Sequence, residues 1–267
     1  MPDSDAETYA RLGAWIKRQL GIVFAPDQKA QFSERLRRFT TSKGIAPAAL
    51  LAALERGDPG LTCELAEVMS TNYTFFLREV ETFEFLRKHV LPFLPSEEVR
   101  LWSAATSSGD EAYTLAMYCL EQFGPQARER IKILGTDLSQ KQIQLAEAGR
   151  YPQEQLSLVD NTRRALWFTP VEQGRQYEVK PALRELCTFR RLNLTQLPWP
   201  FEQRFHVIML RNVLYYMERP MCVRILESCY DAAAQGAWLF TSITEPMFDL
   251  ETRWKRVAPA IYRRKGA

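Results

Sequence analysis

The chain has 267 residues, 46% of them hydrophobic and 25% charged, and a net charge of only +3. That length supplies a real core for one large domain or two modest ones, and no apolar run approaches the ~20 residues that span a bilayer. A polar, acidic start, five scattered cysteines without a CxxC pair and two histidines (His89, His206) in unrelated contexts indicate a cytoplasmic protein with reduced thiols and no metal site.

Residues 1–95 read as helical. Tyr9, Leu12, Trp15, Ile16 and Leu20 mark one amphipathic face, which Gly21 closes. A second helix after Pro26 turns Phe32, Leu36 and Phe39 inward and leaves Arg35 and Arg38 together on an outward face. From Arg11 to Lys43 eight basic residues face only Asp27 and Glu34; this local +6 leaves the remainder at −3 and suits an acidic partner. Short helices at 48–54 and 61–69 flank a Gly-Asp-Pro-Gly turn, and a polar-aromatic stretch, 70–79, leads into a helix at 82–90. Pro92, Pro95 and the acidic residues after them mark the boundary to a second domain, 96–267.

There the pattern changes to strand, tight turn, helix, strand. Val99, Leu101 and Trp102 open it, small residues follow to Gly109, and Asp110 and Glu111 come next. Tyr113, Leu115, Ala116 and Leu120 then recur at helical spacing, and an apolar run from Ile131 ends in Asp137. A parallel sheet built this way holds its ligand beyond the carboxyl ends of its strands. After a helix at 140–148 the rhythm breaks. Residues 165–168, 176–179 and 187–190 read as short strands of an antiparallel insertion at about 160–190. The near-continuous apolar strand 206–210 resumes the parallel sheet and ends in Arg211-Asn212-Val213-Leu214-Tyr215-Tyr216. A helix at 220–233, a strand at 237–243 and a hairpin-like tail through Tyr262 complete the chain.

The loop after the first strand is not GxGxxG, the pattern that brings backbone close to a pyrophosphate. Its two carboxylates, Asp110 and Glu111, would repel a phosphate but tolerate an ammonium group. A ligand with a cationic amino group and a ribose fits better, and S-adenosylmethionine has both. Asp137 stands where a carboxylate accepts hydrogen bonds from ribose hydroxyls.

Four segments then carry a family resemblance: 21–38, Thr71-Asn72-Tyr73-Thr74-Phe75-Phe76-Leu77-Arg78-Glu79, Trp102 to Thr114 (WSAATSSGDEAYT), and Arg211 to Tyr216. In this order they resemble the CheR-type chemotaxis receptor glutamate O-methyltransferases over nearly the whole chain. The resemblance implies a Rossmann-like class I S-adenosylmethionine-dependent methyltransferase sheet domain with a small antiparallel β insertion and an N-terminal helical domain. It implies cofactor contacts at Asn72, Thr74 and Arg78, Glu111 near the methionine amino group, Asp137 on the ribose, Asn193 and Leu194 at the adenine, and Arg211 and Asn212 closing the pocket. Arg78 and Tyr216 match positions facing the transferred methyl and its acceptor, and S-adenosylhomocysteine is the implied product. Arg35 and Arg38 would align an acidic coiled coil such as a chemoreceptor.

The chain also departs from the family. Asp110, Ala112 and Thr114 replace Glu, Pro and Ser, and Ser242-Ile243-Thr244-Glu245 stands where a GHSE-like turn is usual. That last departure leaves one wall of the site open and keeps a non-catalytic signalling module as the alternative. The basic N-terminal region also suits a nucleic-acid methyltransferase, but no N/D-P-P-Y motif accompanies it. The insertion's loop has one glycine, so tethering to a receptor's C-terminal peptide is not expected.

Overall fold

A computed structural model describes residues 3–23, 29–70, 73–245 and 251–265. Helices α1 (Asp3–Leu20), α2 (Lys29–Lys43), α3 (Pro47–Glu55) and α4 (Pro59–Met69) bury Leu12, Ile16, Leu36, Leu50 and Leu65 in a core of their own. Pro47 starts α3 at a position whose amide has no helical partner, and the Asp58 carboxylate accepts from Leu61 N (2.9 Å) to cap α4. Arg35 does not face outward as its spacing suggests. Its guanidinium donates to Met69 O (3.0 Å), satisfying a helix-end carbonyl of α4. Arg38 is exposed and pairs with Glu34 (2.7 Å).

The helical core ends at Met69, well before residue 95. Phe76 and α5 (Val80–His89) pack instead into the core beneath the sheet, because Phe83 and Leu86 bury there and Phe83 stacks on Tyr118 (centroids 5.6 Å apart). Phe76, Leu77 and α5 therefore share their core with the sheet.

Its elements follow in chain order: β1 (Val99–Ala104), α6 (Asp110–Phe123), α7 (Ala127–Arg130), β2 (Ile131–Asp137), α8 (Gln140–Ala148), β3 (Arg150–Pro152), α9 (Asn161–Trp167), β4 (Phe168–Val171), β5 (Gln176–Val179), α10 (Pro181–Arg184), β6 (Cys187–Arg191), β7 (Phe205–Leu210), α11 (Arg219–Ala232), β8 (Ala233–Phe240), β9 (Lys255–Ala258) and β10 (Ile261–Arg263). Among the described residues, seven strands form one sheet in the order β6-β2-β1-β7-β8-β10-β9. The first five are parallel, and the β9–β10 hairpin adds antiparallel to β8. Val99, Leu101, Val207 and Met209 fill one face of this sheet, while Trp102, Ile208 and Leu210 fill the other.

The insertion differs from expectation in its membership. Residues 187–191 form the edge strand β6 of the main sheet, parallel to β2, while β3, β5 and β4 make the separate antiparallel sheet. Ala165 to Trp167 are helical, and the strand begins only at Phe168. As an edge strand β6 buries Phe189 but exposes its neighbours, so its alternation imitates a strand of an antiparallel sheet. Among the described residues no helix is long and apolar enough to cross a membrane.

Candidate active site

Strand order reverses between β1 and β7: the chain runs outward through β2 and β6 on one side and through β8 on the other. The crevice at such a reversal, beyond the strands' carboxyl ends, is where a doubly wound sheet binds its ligand. A cavity of about 340 Å³ lies there, lined by the loops after β1, β2 and β7, the segment 73–78, and Leu20 and Ile22 of the helical unit.

The loop after β1 is shaped by Gly109, with φ of +91°, which caps α6; a Cβ there would meet Ala146 Cβ at 2.8 Å. This close approach sets Ser107 beside β2, where Asp137 accepts from Ser107 N (2.8 Å) and Ser139 N (2.9 Å). Burial pushes the Asp137 carboxyl up, and these backbone bonds oppose it. Asp137 is 7% exposed and lines the cavity, with Leu138, Leu192 and Leu194 as the apolar wall beside it. Asn193 lines the same wall, but its side chain is engaged locally, donating to Gln19 O (2.9 Å) and accepting from Thr195 N (3.0 Å).

Glu111 projects from the first turn of α6 into the other half of the cavity. It accepts from Ser103 Oγ (2.7 Å) and from Arg211 Nη1 (2.8 Å). The Arg211 side chain is 2% exposed, lies over the Phe83 ring and donates from Nη2 to Arg78 O (2.6 Å). Glu79 Oε2 stands 3.3 Å from the same Nη2. Burial alone would raise the Glu79 carboxyl, but Arg211 and hydrogen bonds from Ser242 and Asn212 hold it below its ordinary value. One buried guanidinium thus serves two carboxylates and the linker's backbone.

Thr74, Arg78, Asn212 and Tyr216 also line the cavity, so the structure gathers every described residue of the expected cofactor and acceptor set. Asn72 lies outside the described residues. Arg78 donates to Tyr73 O (2.9 Å) and ion-pairs with neither neighbouring carboxylate, since Glu79 turns to Arg211. Tyr215 and Tyr216 sit together in the cavity lining, with hydroxyls 3.3 Å apart. Arg35 and Arg38 are not among the cavity's lining residues. Sequence reasoning missed two features: the wall made by Leu20 and Ile22, and the carboxylate of Glu245, which sits under the loop after β7. Among the described residues, five non-glycine residues with positive φ, Leu77, Glu79, Ala105, Ser107 and Asn212, lie in the loops around this cavity. Backbone held in such regions concentrates at sites where geometry matters more than local stability.

A doubly wound sheet ending in two antiparallel strands, with carboxylates at the end of β2 and the start of α6, is compatible with an S-adenosylmethionine-dependent methyltransferase. The residues fit that cofactor: Asp137 keeps acceptor capacity toward a diol, leucines offer a wall to a flat ring, and Glu111 brings negative charge to the other half of the cavity. The family model "CheR methyltransferase, SAM binding domain" matches residues 72–262, and the chain belongs to that family. It is 37% identical over 189 residues to a probable chemotaxis protein methyltransferase of Rhizobium etli, covering 68% of this chain and 70% of that one. A chemotaxis protein methyltransferase of Borreliella burgdorferi is 30% identical over 78% of this chain and 77% of its own. Chemotaxis protein methyltransferase 1 of Pseudomonas aeruginosa is 29% identical over 94% of this chain and 95% of its own.

Proposed function

We propose that this enzyme methylates glutamate side chains of chemoreceptors, forming carboxylate methyl esters. The observation that carries the reading is Arg78. It lines the cavity of a CheR-family methyltransferase and, among the described residues, has no carboxylate partner. A guanidinium in that state suits an incoming carboxylate, which it can hold at two points.

Bound S-adenosylmethionine supplies an electrophilic sulfonium methyl and leaves as S-adenosylhomocysteine. The acceptor needs no general base, because a glutamate side chain with a pKa of about 4.3 is ionised at neutral pH. The work left to this chain is placement. Arg78 orients the carboxylate, Tyr216 offers a hydroxyl to it, and the apolar wall excludes water, which strengthens the attraction between unlike charges. Asp137 and Glu111 hold the two ends of the cofactor, and Arg211 keeps Glu111 in place.

The partner is an acidic helical receptor. With Arg35 committed to α4, the steering charge on α2 comes from its exposed residues, Arg38 among them. The β4–β5 turn is too short and too poor in glycine to suggest tethering of a receptor tail. The test is transfer of a labelled methyl group to receptor-bearing membranes and, in parallel, to RNA, followed by mild alkali. Label on the receptor that is released as methanol supports the reading; alkali-stable label, or label on RNA, overturns it.

A further inference from the structure

Glu245 is 3% exposed and its carboxylate is surrounded by backbone N–H groups. Oε1 accepts from Val213 N (2.5 Å) and Leu214 N (2.7 Å), and Oε2 from Asn212 N (2.9 Å) and Ser242 N (3.0 Å). Three of these donors are successive residues of the loop after β7, and the fourth lies in the loop after β8. The first of the three, Asn212, has φ of +56°, a conformation that a non-glycine residue adopts only under constraint. The loop so held continues directly into Tyr215 and Tyr216, which line the cavity. Beside it, Ser242 Oγ donates to Glu79 Oε1 (2.8 Å), and Asn212 Nδ2 reaches the same oxygen (3.2 Å). Burial raises the Glu245 carboxyl, and the four amides oppose that rise.

We propose that Glu245 is a positioning residue for methyl transfer: its carboxylate gathers four backbone amides of two loops and thereby fixes Asn212 and the Tyr215–Tyr216 pair against the acceptor. It touches neither cofactor nor acceptor and acts through the loop. An amide side chain of the same shape cannot replace it. Glutamine presents one acceptor oxygen, and its NH2 group would face two N–H donors, which leaves buried amides unpaired. A displacement of the loop by even ~1 Å is enough to cost on the order of 100-fold in rate. The inference rests on the acceptor-side reading of Tyr216, although the hydrogen bonds themselves do not depend on what the acceptor is.

The experiment compares Glu245→Gln with wild type for methyl transfer to receptor-bearing membranes, S-adenosylhomocysteine affinity by calorimetry, and thermal unfolding. The expected result is a 10- to 100-fold fall in kcat, with cofactor affinity within threefold of wild type. Tyr216→Phe should then add little to the Glu245→Gln defect, because both act at one place. Unchanged kcat, or affinity falling in step with kcat, overturns the proposal, as does full additivity with Tyr216→Phe. Should Glu245→Gln fail to fold, Glu245→Asp, which keeps the charge but shortens the reach to the amides of Asn212, Val213, Leu214 and Ser242, gives the second measurement. It should lower kcat by a smaller factor at unchanged cofactor affinity, and no loss of kcat counts against the proposal. Failure of the glutamate reading would show separately, as alkali-stable label made by the wild-type enzyme.

Discussion

The charge arrangement around Arg211 is a commitment made by single residues. Its guanidinium is buried against Glu111 and Glu79, so removing it strands two carboxylates in a poorly solvated place. Arg211→Met should therefore lose about 3–5 kcal/mol of stability in urea unfolding, a large share of what holds a domain together, and a loss below about 1 kcal/mol would contradict this. Asp110 behaves differently. Its carboxyl is fully buried, accepts from Ser108 Oγ (2.7 Å) and has one oxygen without a hydrogen bond. Burial pushes it up to about 6, with the Ser108 bond opposing. Between the unfolded value of about 3.9 and about 6 the folded state holds more protons, so stability falls as pH rises through that window and is flat above it. Asp110→Asn should flatten that slope and gain on the order of 1–3 kcal/mol at pH 7. Unfolding curves at pH 4 and pH 7 decide the matter, and an unchanged slope would count against it. The sequence showed that Asp110 and Glu111 stand at a helix start. It did not show that they part company, one sealed under the loop and one turned to the cavity.

At the scale of elements, the tight approach of β1, α6 and α8 depends on Gly109, and the seam between α1 and the segment after β6 depends on Gly21, where a Cβ would meet Thr195 Cγ2 at 2.2 Å. Both glycines have positive φ, so alanine meets strain and collision together. Gly21→Ala should cost ~2 kcal/mol or more in thermal unfolding and weaken cofactor binding, since Leu20 and Ile22 flank it in the cavity wall. Arg35 and Arg38 now make opposite predictions. Arg35→Ala unties the end of α4, next to the cavity residue Ser70, and should lower stability by about 1 kcal/mol. Arg38→Ala removes an exposed ion pair worth under ~1 kcal/mol, and its effect should appear in the KM for receptor. A receptor KM untouched by Arg38→Ala would move the docking surface elsewhere. Helical periodicity could place these arginines on α2 but not see that a neighbouring helix ends within reach of one. The edge strand β6 was misassigned for a related reason: half-exposed, it carries the alternation of a two-layer sheet, and only pairing with β2 distinguishes it. The strands buried on both faces, β1 and β7, were legible because their runs are mostly apolar, with Arg100 and His206 only half-buried near their starts.

For the whole molecule, the helical unit is part of the site. Val23 N donates to Tyr216 O (2.7 Å), Asn193 bonds to Gln19 O (2.9 Å), Lys17 pairs with Glu218 (2.5 Å), and Leu20 and Ile22 face the cavity. A single sequence reveals two composition zones but not that the first supplies a wall to the second. On the function proposed above, this added apolar wall would strengthen the attraction of the Asp137 and Glu111 carboxylates for a positively charged nucleoside. The most direct measurement is calorimetric titration of S-adenosylhomocysteine into wild type and Asp137→Ala, with circular dichroism to confirm the variant's fold. One site per chain, weakened at least 100-fold in a folded Asp137→Ala, is the predicted result. A folded variant that binds as tightly as wild type would contradict the placement of the cofactor at the ends of β1 and β2.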